Sequence, residues 1–113
     1  MKAASIVRWT VPVPGREKQA IEYGREVDEF WGKQAADGRC SEPEWFWAPR
    51  GESYWIVKGD LEQLLMISAT PESQRLLYKG QLLMQDFGYD LYVHGREEAL
   101  KPFEDVAKEL GYA

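Results

Sequence analysis

The sequence is poor in the residues that build metal sites, disulfides and hydrolytic active sites. Its 113 residues include one cysteine, Cys40, and one histidine, His94, and they include no asparagine. A single cysteine cannot close an internal disulfide, and the absence of a CxxC or Cys/His cluster argues against structural zinc. P-loop, GxGxxG, GxSxG and HExxH motifs are also absent, and no evident nucleophile–base pair is present. We therefore expect no metal and no cofactor.

Clustered positive charge and long apolar runs are missing too. With 14 basic and 19 acidic residues the formal net charge is −5, and no Lys/Arg cluster could supply the phosphate contacts on which nucleic-acid binding depends. No apolar run is long enough to span a bilayer, and Arg8 interrupts the N-terminal segment before a signal peptide could form. The sequence predicts a soluble, cytoplasmic protein without nucleic-acid or membrane partners, folded as a single domain over residues 1–113.

Aromatic residues are abundant, and they concentrate in one stretch. Phe, Trp and Tyr make up 13% of the chain, and three of the five tryptophans lie in EWFWAPRGESYWIVKG, residues 44–59. Alternating side chains and a Pro-Arg-Gly-Glu turn predict a hairpin with strands at 44–48 and 53–58. Both strands carry aromatic residues on both faces, which is typical of a sheet covered on its two sides.

Regular elements are predicted on both sides of this hairpin. Before it, residues 4–12 form a strand and a long helix extends from Pro14-Gly15 to Ala36. After it, Asp60 caps a short leucine-rich helix, and Thr70 caps a second one that continues to Gly88.

The C-terminal part adds a strand and a helix. Tyr89–His94 is predicted as the fourth strand. Glu97–Leu110 is predicted as a helix with an apolar stripe, in which Pro102 marks a fresh start because proline does not fit a helix interior.

This order of elements favours one fold. The sequence β-α-β-β-α-β predicts an α+β, ferredoxin-like fold with a four-stranded antiparallel sheet, two long helices on one face and an extra C-terminal helix. The other face keeps Ile6 and several hairpin aromatics, and such a patch is rarely left bare. A second copy packed sheet against sheet would cover it, so we expect a homodimer. One set of tryptophans should then lie under the helices and the other should face the partner.

Over residues 4–95 the chain resembles the dimeric α+β barrel superfamily. The resemblance rests on the element order, the aromatic hairpin and the segment GDLEQLLMISATPESQRLLYKGQLLMQDFGYDLYVHG, which begins where a strand ends and holds a leucine-rich helix, a Thr-Pro-Glu helix start and a last strand. It implies a dimeric α+β barrel. It does not imply one reaction, because the superfamily includes antibiotic-biosynthesis-type monooxygenases that need no cofactor, haem-degrading enzymes, isomerases and many uncharacterised proteins. The haem-degrading members use a helical histidine with an asparagine nearby, whereas this chain has no asparagine and its histidine lies on a predicted strand.

Two groups of residues are candidates for function. His94 is the one side chain that titrates near neutral pH when unperturbed, which makes it the weak candidate for a catalytic base. Arg8 could anchor an acidic group, although a cross-strand pair with Asp90 is favoured. The aromatic residues suit a pocket between helices and sheet. The predicted ligand-binding residues are Arg8, Trp9, Trp45, Trp47, Tyr54, Trp55 and Tyr92.

Three functions remain open at this point. The favoured one is a homodimer that binds a small apolar or aromatic ligand between helices and sheet. The second is a cofactor-independent monooxygenase acting on an aromatic substrate, with His94 as its base. The third is a purely structural module whose aromatic face only makes the dimer. The acidic group Glu26, Asp28 and Glu29 is interpreted as a solvated helix face rather than a metal site.

Overall fold

A computed structural model describes residues 1–112 and confirms the α+β, ferredoxin-like architecture. Within those residues the elements are β1 (Lys2–Trp9), α1 (Glu17–Ala36), β2 (Glu44–Phe46), β3 (Ser53–Asp60), α2 (Leu61–Ser68), α3 (Pro71–Leu83), β4 (Gly88–Val93) and α4 (Glu97–Glu109). The strands form one antiparallel sheet in the order β2-β3-β1-β4, so β1 is central as predicted. No helix within residues 1–112 is both long and apolar enough to cross a membrane.

The register of the strands decides which side chains share a face. Val7 of β1 pairs with Trp55 of β3 and with Tyr89 of β4, and Trp55 pairs in turn with Trp45 of β2. Directly paired residues point to the same side of a sheet. Helices α1, α2 and α3 pack on this side, which we call the helix-covered face. Its core includes Val7, Trp9, Val27, Trp31, Trp55, Val57, Leu64 and Leu76.

The opposite side of the sheet, the open face, carries Ile6, Arg8, Phe46, Tyr54, Ile56, Asp90 and Tyr92. Phe46 and Tyr54 stack across β2 and β3 with ring centroids 5.2 Å apart. Arg8 Nη1 donates to Asp90 Oδ2 at 3.0 Å, which confirms the favoured cross-strand pair. These aromatic rings remain partly exposed within residues 1–112: Phe46 is 42% exposed, Tyr92 is 44% exposed and Tyr54 is 36% exposed.

The expectation that the tryptophans divide between the two faces is wrong. All five lie on the helix-covered side: Trp9, Trp31, Trp45, Trp47 and Trp55. The open face of the hairpin holds Phe46 and Tyr54 instead. The reason is the register, which aligns Trp45 with Trp55 and Trp55 with Val7.

The predicted helix caps are confirmed. The Asp60 carboxylate accepts hydrogen bonds from the backbone N–H groups of Glu62 and Gln63, and the Thr70 hydroxyl accepts one from Ser73. Pro71 occupies the first turn of α3, where its missing N–H costs nothing. These starts depend on contacts within four residues, so a sequence pattern is enough to locate them.

Several predicted boundaries were too long. β1 ends at Trp9 rather than at residue 12, because the chain then pairs with the segment after α3. Thr10 N–H donates to the Gln85 carbonyl at 3.0 Å, and Val13 N–H donates to the Leu83 carbonyl at 2.8 Å. This pairing also explains why α3 ends at Leu83 and not near residue 88. α1 begins at Glu17, three residues after the predicted start, and β2 ends at Phe46 rather than at residue 48.

The C-terminal helix differs from its prediction in one respect. α4 runs without interruption through Pro102, so the fresh start expected there is wrong. The predicted apolar stripe is present, but no residue of α4 is buried. Phe103 is 71% exposed and Leu110 is 65% exposed. Within residues 1–112, therefore, α4 presents an uncovered apolar side.

Candidate functional site

A cleft of about 670 Å³ opens between α1 and the end of the sheet formed by β1 and β2. This volume lies within the range typical of small-molecule sites. Its walls are mainly apolar: Trp9, Trp45, Trp47 and Ala48 on the sheet side, Ala20, Ile21 and Gly24 on α1, and Pro12 and Met84 beside them. We call it the tryptophan cleft.

The α1 wall of the cleft is one continuous stripe of the helix. Its members recur every three or four positions: Glu17, Ala20, Ile21, Gly24, Arg25 and Asp28. Ala20 and Gly24, near the middle of the stripe, have small side chains or none, so the helix backbone approaches the sheet closely. A Cβ added to Gly24 would lie 3.9 Å from the Trp45 ring. Charged side chains occupy the two ends of the stripe.

Three indole rings form the sheet wall. Trp45 and Trp47 are nearly parallel, with centroids 5.5 Å apart and an interplanar angle of 8°. Trp9 stands edge-on to both, at 5.8 Å and 70° to Trp45 and at 5.6 Å and 77° to Trp47. Trp9 is only 5% exposed and lies at the base, whereas Trp47 is 70% exposed and stands at the mouth.

Asp28 fixes the orientation of the central ring. The Trp45 Nε1–H group donates to Asp28 Oδ1 at 2.7 Å, a short hydrogen bond to an ionised acceptor. The sequence pattern predicts that Asp28 belongs to a solvated acidic face together with Glu26 and Glu29. The structure separates them: Glu26 binds Lys79 and Glu29 pairs with Lys33, while Asp28 lines the cleft.

The sequence signal that could have found Asp28 is its spacing. Asp28 lies four residues after Gly24, on the same helix side as Ala20. Two small residues, Ala20 and Gly24, beside the buried stripe of a long amphipathic helix indicate that another element approaches the helix closely there. A carboxylate on the same side of the helix, such as Asp28, is then a candidate to contact a ligand.

The predicted site residues do not all meet. Trp9, Trp45 and Trp47 come together in the cleft. Trp55 is 3% exposed and lies in the core, where it lines a separate cavity of about 290 Å³ with Trp31.

The remaining predicted residues lie away from the cleft. Arg8, Tyr54 and Tyr92 belong to the open face, so they cannot reach the cleft through the sheet. His94 is exposed just after β4, with its backbone N–H bonded to the Lys2 carbonyl at 2.9 Å, and it does not line the cleft.

Comparison with known proteins gives structural relatives only. No protein-family model matches the chain, and no curated protein matches its sequence. Among solved structures, Rv0793 from Mycobacterium tuberculosis superposes with a TM-score of 0.64 at 15% identity, covering 85% of this chain and 97% of that protein. PA3566 from Pseudomonas aeruginosa superposes with a TM-score of 0.57 at 17% identity, covering 85% of this chain and 97% of that protein.

A third structure carries a functional description. It is a proposed antibiotic biosynthesis monooxygenase from Chloroflexus aurantiacus J-10-fl, with a TM-score of 0.55 at 13% identity over 85% of this chain and 95% of that one. Likeness at this level of identity establishes architecture and not activity. In architecture the chain has the ferredoxin-like α+β fold that these three structures share.

Proposed function

We propose that the protein is a homodimer that binds a small, flat, apolar or aromatic ligand in the tryptophan cleft. The observation that carries this proposal is an exposed indole beside unfilled space. Trp47 is 70% exposed, although it stacks on Trp45 and borders a cleft of about 670 Å³. A large aromatic ring held in a fixed orientation at the mouth of an apolar cleft is suited to stacking against a flat ligand.

The dimer is proposed from two uncovered apolar surfaces. One is the open face of the sheet, with Phe46, Tyr54 and Tyr92 at its surface. The other is the apolar stripe of α4, which includes Phe103 and Leu110. A stable dimer needs about 800 Å² of buried surface on each protomer. Together the two surfaces expose the aromatic rings of Phe46, Tyr54, Tyr92 and Phe103, each of which would contribute its accessible part to this area.

The monooxygenase alternative uses the same cleft but lacks a placed base. His94, its candidate base, lies outside the cleft. The relative from Chloroflexus aurantiacus supports the fold and not a reaction on this chain. Ligand binding is therefore the function that we propose, and the third alternative, a structural module, is separated from it by the experiment below.

Replacing Trp47 by alanine should weaken ligand binding without unfolding the protein. The side chain is mostly exposed, so the fold loses little packing. The ligand loses its stacking surface, and we expect the dissociation constant to rise about fivefold, since stacking is worth about 1 kcal/mol beyond buried area. The measurement is calorimetric titration with the neutral probe 1-naphthylmethanol.

The matched control is Tyr78→Ala, which removes an exposed aromatic ring, 61% exposed, from the outer side of α3. This variant should bind the probe like the wild type. If the wild type fails to bind 1-naphthylmethanol up to the solubility limit of the probe, or if Trp47→Ala binds it equally well, the proposed function is wrong.

A further inference from the structure

We propose that the tryptophan cleft selects ligands that carry an alkylated ammonium group next to an aromatic or apolar body. This inference rests on the proposed ligand binding and specifies the chemical class of the ligand. It is carried by the arrangement of the three indoles and by the charges at the cleft.

Trp47 is the most accessible of the three indole rings at 70% exposed, whereas Trp9 is 5% exposed and packs edge-on to the other two. The parallel pair Trp45 and Trp47 meets the Trp9 ring at 70° and 77°, with all three centroids within 5.8 Å of one another. The face of an indole carries negative electrostatic potential and attracts a cation within about 6 Å of the ring centroid. Tryptophan is the strongest of the aromatic residues in this interaction.

A carboxylate lies at the edge of this cluster. Asp28 Oδ1 accepts the Trp45 indole N–H at 2.7 Å, which places a negative charge directly beside the ring. Hydrogen-bonded groups polarise one another, so this bond makes the Trp45 ring more electron-rich. Asp28 Oδ2 accepts no hydrogen bond from residues 1–112, and Asp28 is one of the residues that line the cleft.

The charges that line the cleft favour a cation over an anion. They are two carboxylates, Glu17 and Asp28, and one guanidinium, Arg25, so the lining has a net charge of −1. An alkylated ammonium group is preferred over a primary one because its alkyl groups contact the rings and it gives up less hydration on entering an apolar cleft.

Three probes with one naphthyl body test this selectivity by calorimetric titration. They are (1-naphthylmethyl)trimethylammonium, neutral 1-naphthylmethanol and anionic 1-naphthylacetate. We expect the cation to bind about fivefold more tightly than the alcohol, as for a cation–π contact at a partly exposed site, and the anion to bind more weakly than the alcohol.

Asp28→Asn isolates the role of the charge. Asparagine keeps an oxygen that can accept the Trp45 N–H but removes the negative charge, so the ratio of cation to alcohol affinity should fall below the wild-type ratio, while the cation–π contact with the rings remains. The matched control is Glu29→Gln, which changes the net charge equally on the same helix. Glu29 pairs with Lys33 at 3.6 Å and does not line the cleft, so this variant should keep the wild-type ratio.

Each other outcome is decisive. Equal wild-type affinity for cation and alcohol overturns the cation selectivity and leaves the proposed ligand binding intact. Tightest binding of the anion also overturns it and assigns the dominant role to Arg25. Binding of none of the three probes contradicts the proposed function as well. An unchanged ratio in Asp28→Asn removes Asp28 from the explanation.

Discussion

Replacing Tyr54 by aspartate is expected to convert the proposed dimer, with twice the chain mass of 13.1 kDa, into a monomer. Tyr54 lies on β3 in the interior of the sheet, stacked on Phe46 and paired with Arg8. The new carboxylate would be buried between two copies. Arg8 cannot neutralise it fully, because Asp90 and Glu52 already lie within 4.0 Å of its guanidinium.

The expected size of this effect follows from the position. Loss of a central aromatic contact in an interface typically costs 2 kcal/mol or more, which raises the dimer dissociation constant at least about thirtyfold. An unpaired buried charge adds to this cost. Sedimentation equilibrium at micromolar concentration measures the shift. The monomer should keep its helical far-ultraviolet spectrum, since Tyr54 points away from the core.

Tyr78→Asp is the matched control for the dimer experiment. It makes the same chemical change at a residue that is 61% exposed on α3, on the opposite side of the sheet. This variant should remain a dimer. A wild-type protein that sediments as a monomer, or a Tyr54→Asp variant that stays dimeric, contradicts the proposed association through the open face.

Replacing Gly80 by alanine is expected to lower the free energy of unfolding by about 1–3 kcal/mol, the usual cost of overpacking a filled site. Gly80 is buried where α3 meets α1. A Cβ at this position would overlap the Phe87 ring and lie 2.7 Å from the Tyr23 hydroxyl oxygen. The direction of the change in the free energy of unfolding is informative, because replacing glycine by alanine inside a helix ordinarily stabilises a protein by up to about 1 kcal/mol.

Gly32→Ala provides the control with the opposite sign. Gly32 lies inside α1, and a Cβ there would have no atom within 4 Å apart from its chain neighbours and the adjoining backbone of its own helix. This variant should be more stable than the wild type in urea unfolding, whereas Gly80→Ala should be less stable. Two stabilised variants would show that the contact between α1 and α3 is looser than the structure indicates.

Tyr23 at the same contact has a buried hydroxyl without a hydrogen-bond partner in the described residues. Burial, with a smaller contribution from the Glu26 carboxylate, raises the pKa of this phenol above its ordinary value of 10.0. Its contribution to stability is therefore present below pH 10 and is lost as the pH rises further, because the unfolded chain then ionises while the folded chain does not.

The fold was predictable where local patterns decide it. The order of elements and the caps at Asp60 and Thr70 follow from side-chain spacing and turn chemistry within a few residues. The ends of β1 and α3 were not predictable in this way. They depend on backbone hydrogen bonds between residues such as Val13 and Leu83, which are distant in sequence.

The candidate site was predictable only in part, for a related reason. Alternation along a strand shows which residues of that strand point to the same side of the sheet. Only the register between strands shows that Trp45, Trp55 and Val7 all point to the helix-covered face. The predicted set therefore combined Tyr54 of the open face with Trp9 of the cleft. Asp28 was missed because its hydrogen-bond partner, Trp45, lies 17 residues away on another element.

The indole N–H signals in a ¹H–¹⁵N correlation spectrum test ligand binding in the tryptophan cleft most directly. The five tryptophans each contribute one such signal, which single Trp→Phe variants assign. On titration with 1-naphthylmethanol, the signals of Trp9, Trp45 and Trp47 should shift together, while those of the core residues Trp31 and Trp55 stay in place. Absence of any shift at saturating probe, or shifts confined to Trp31 and Trp55, would contradict binding in this cleft.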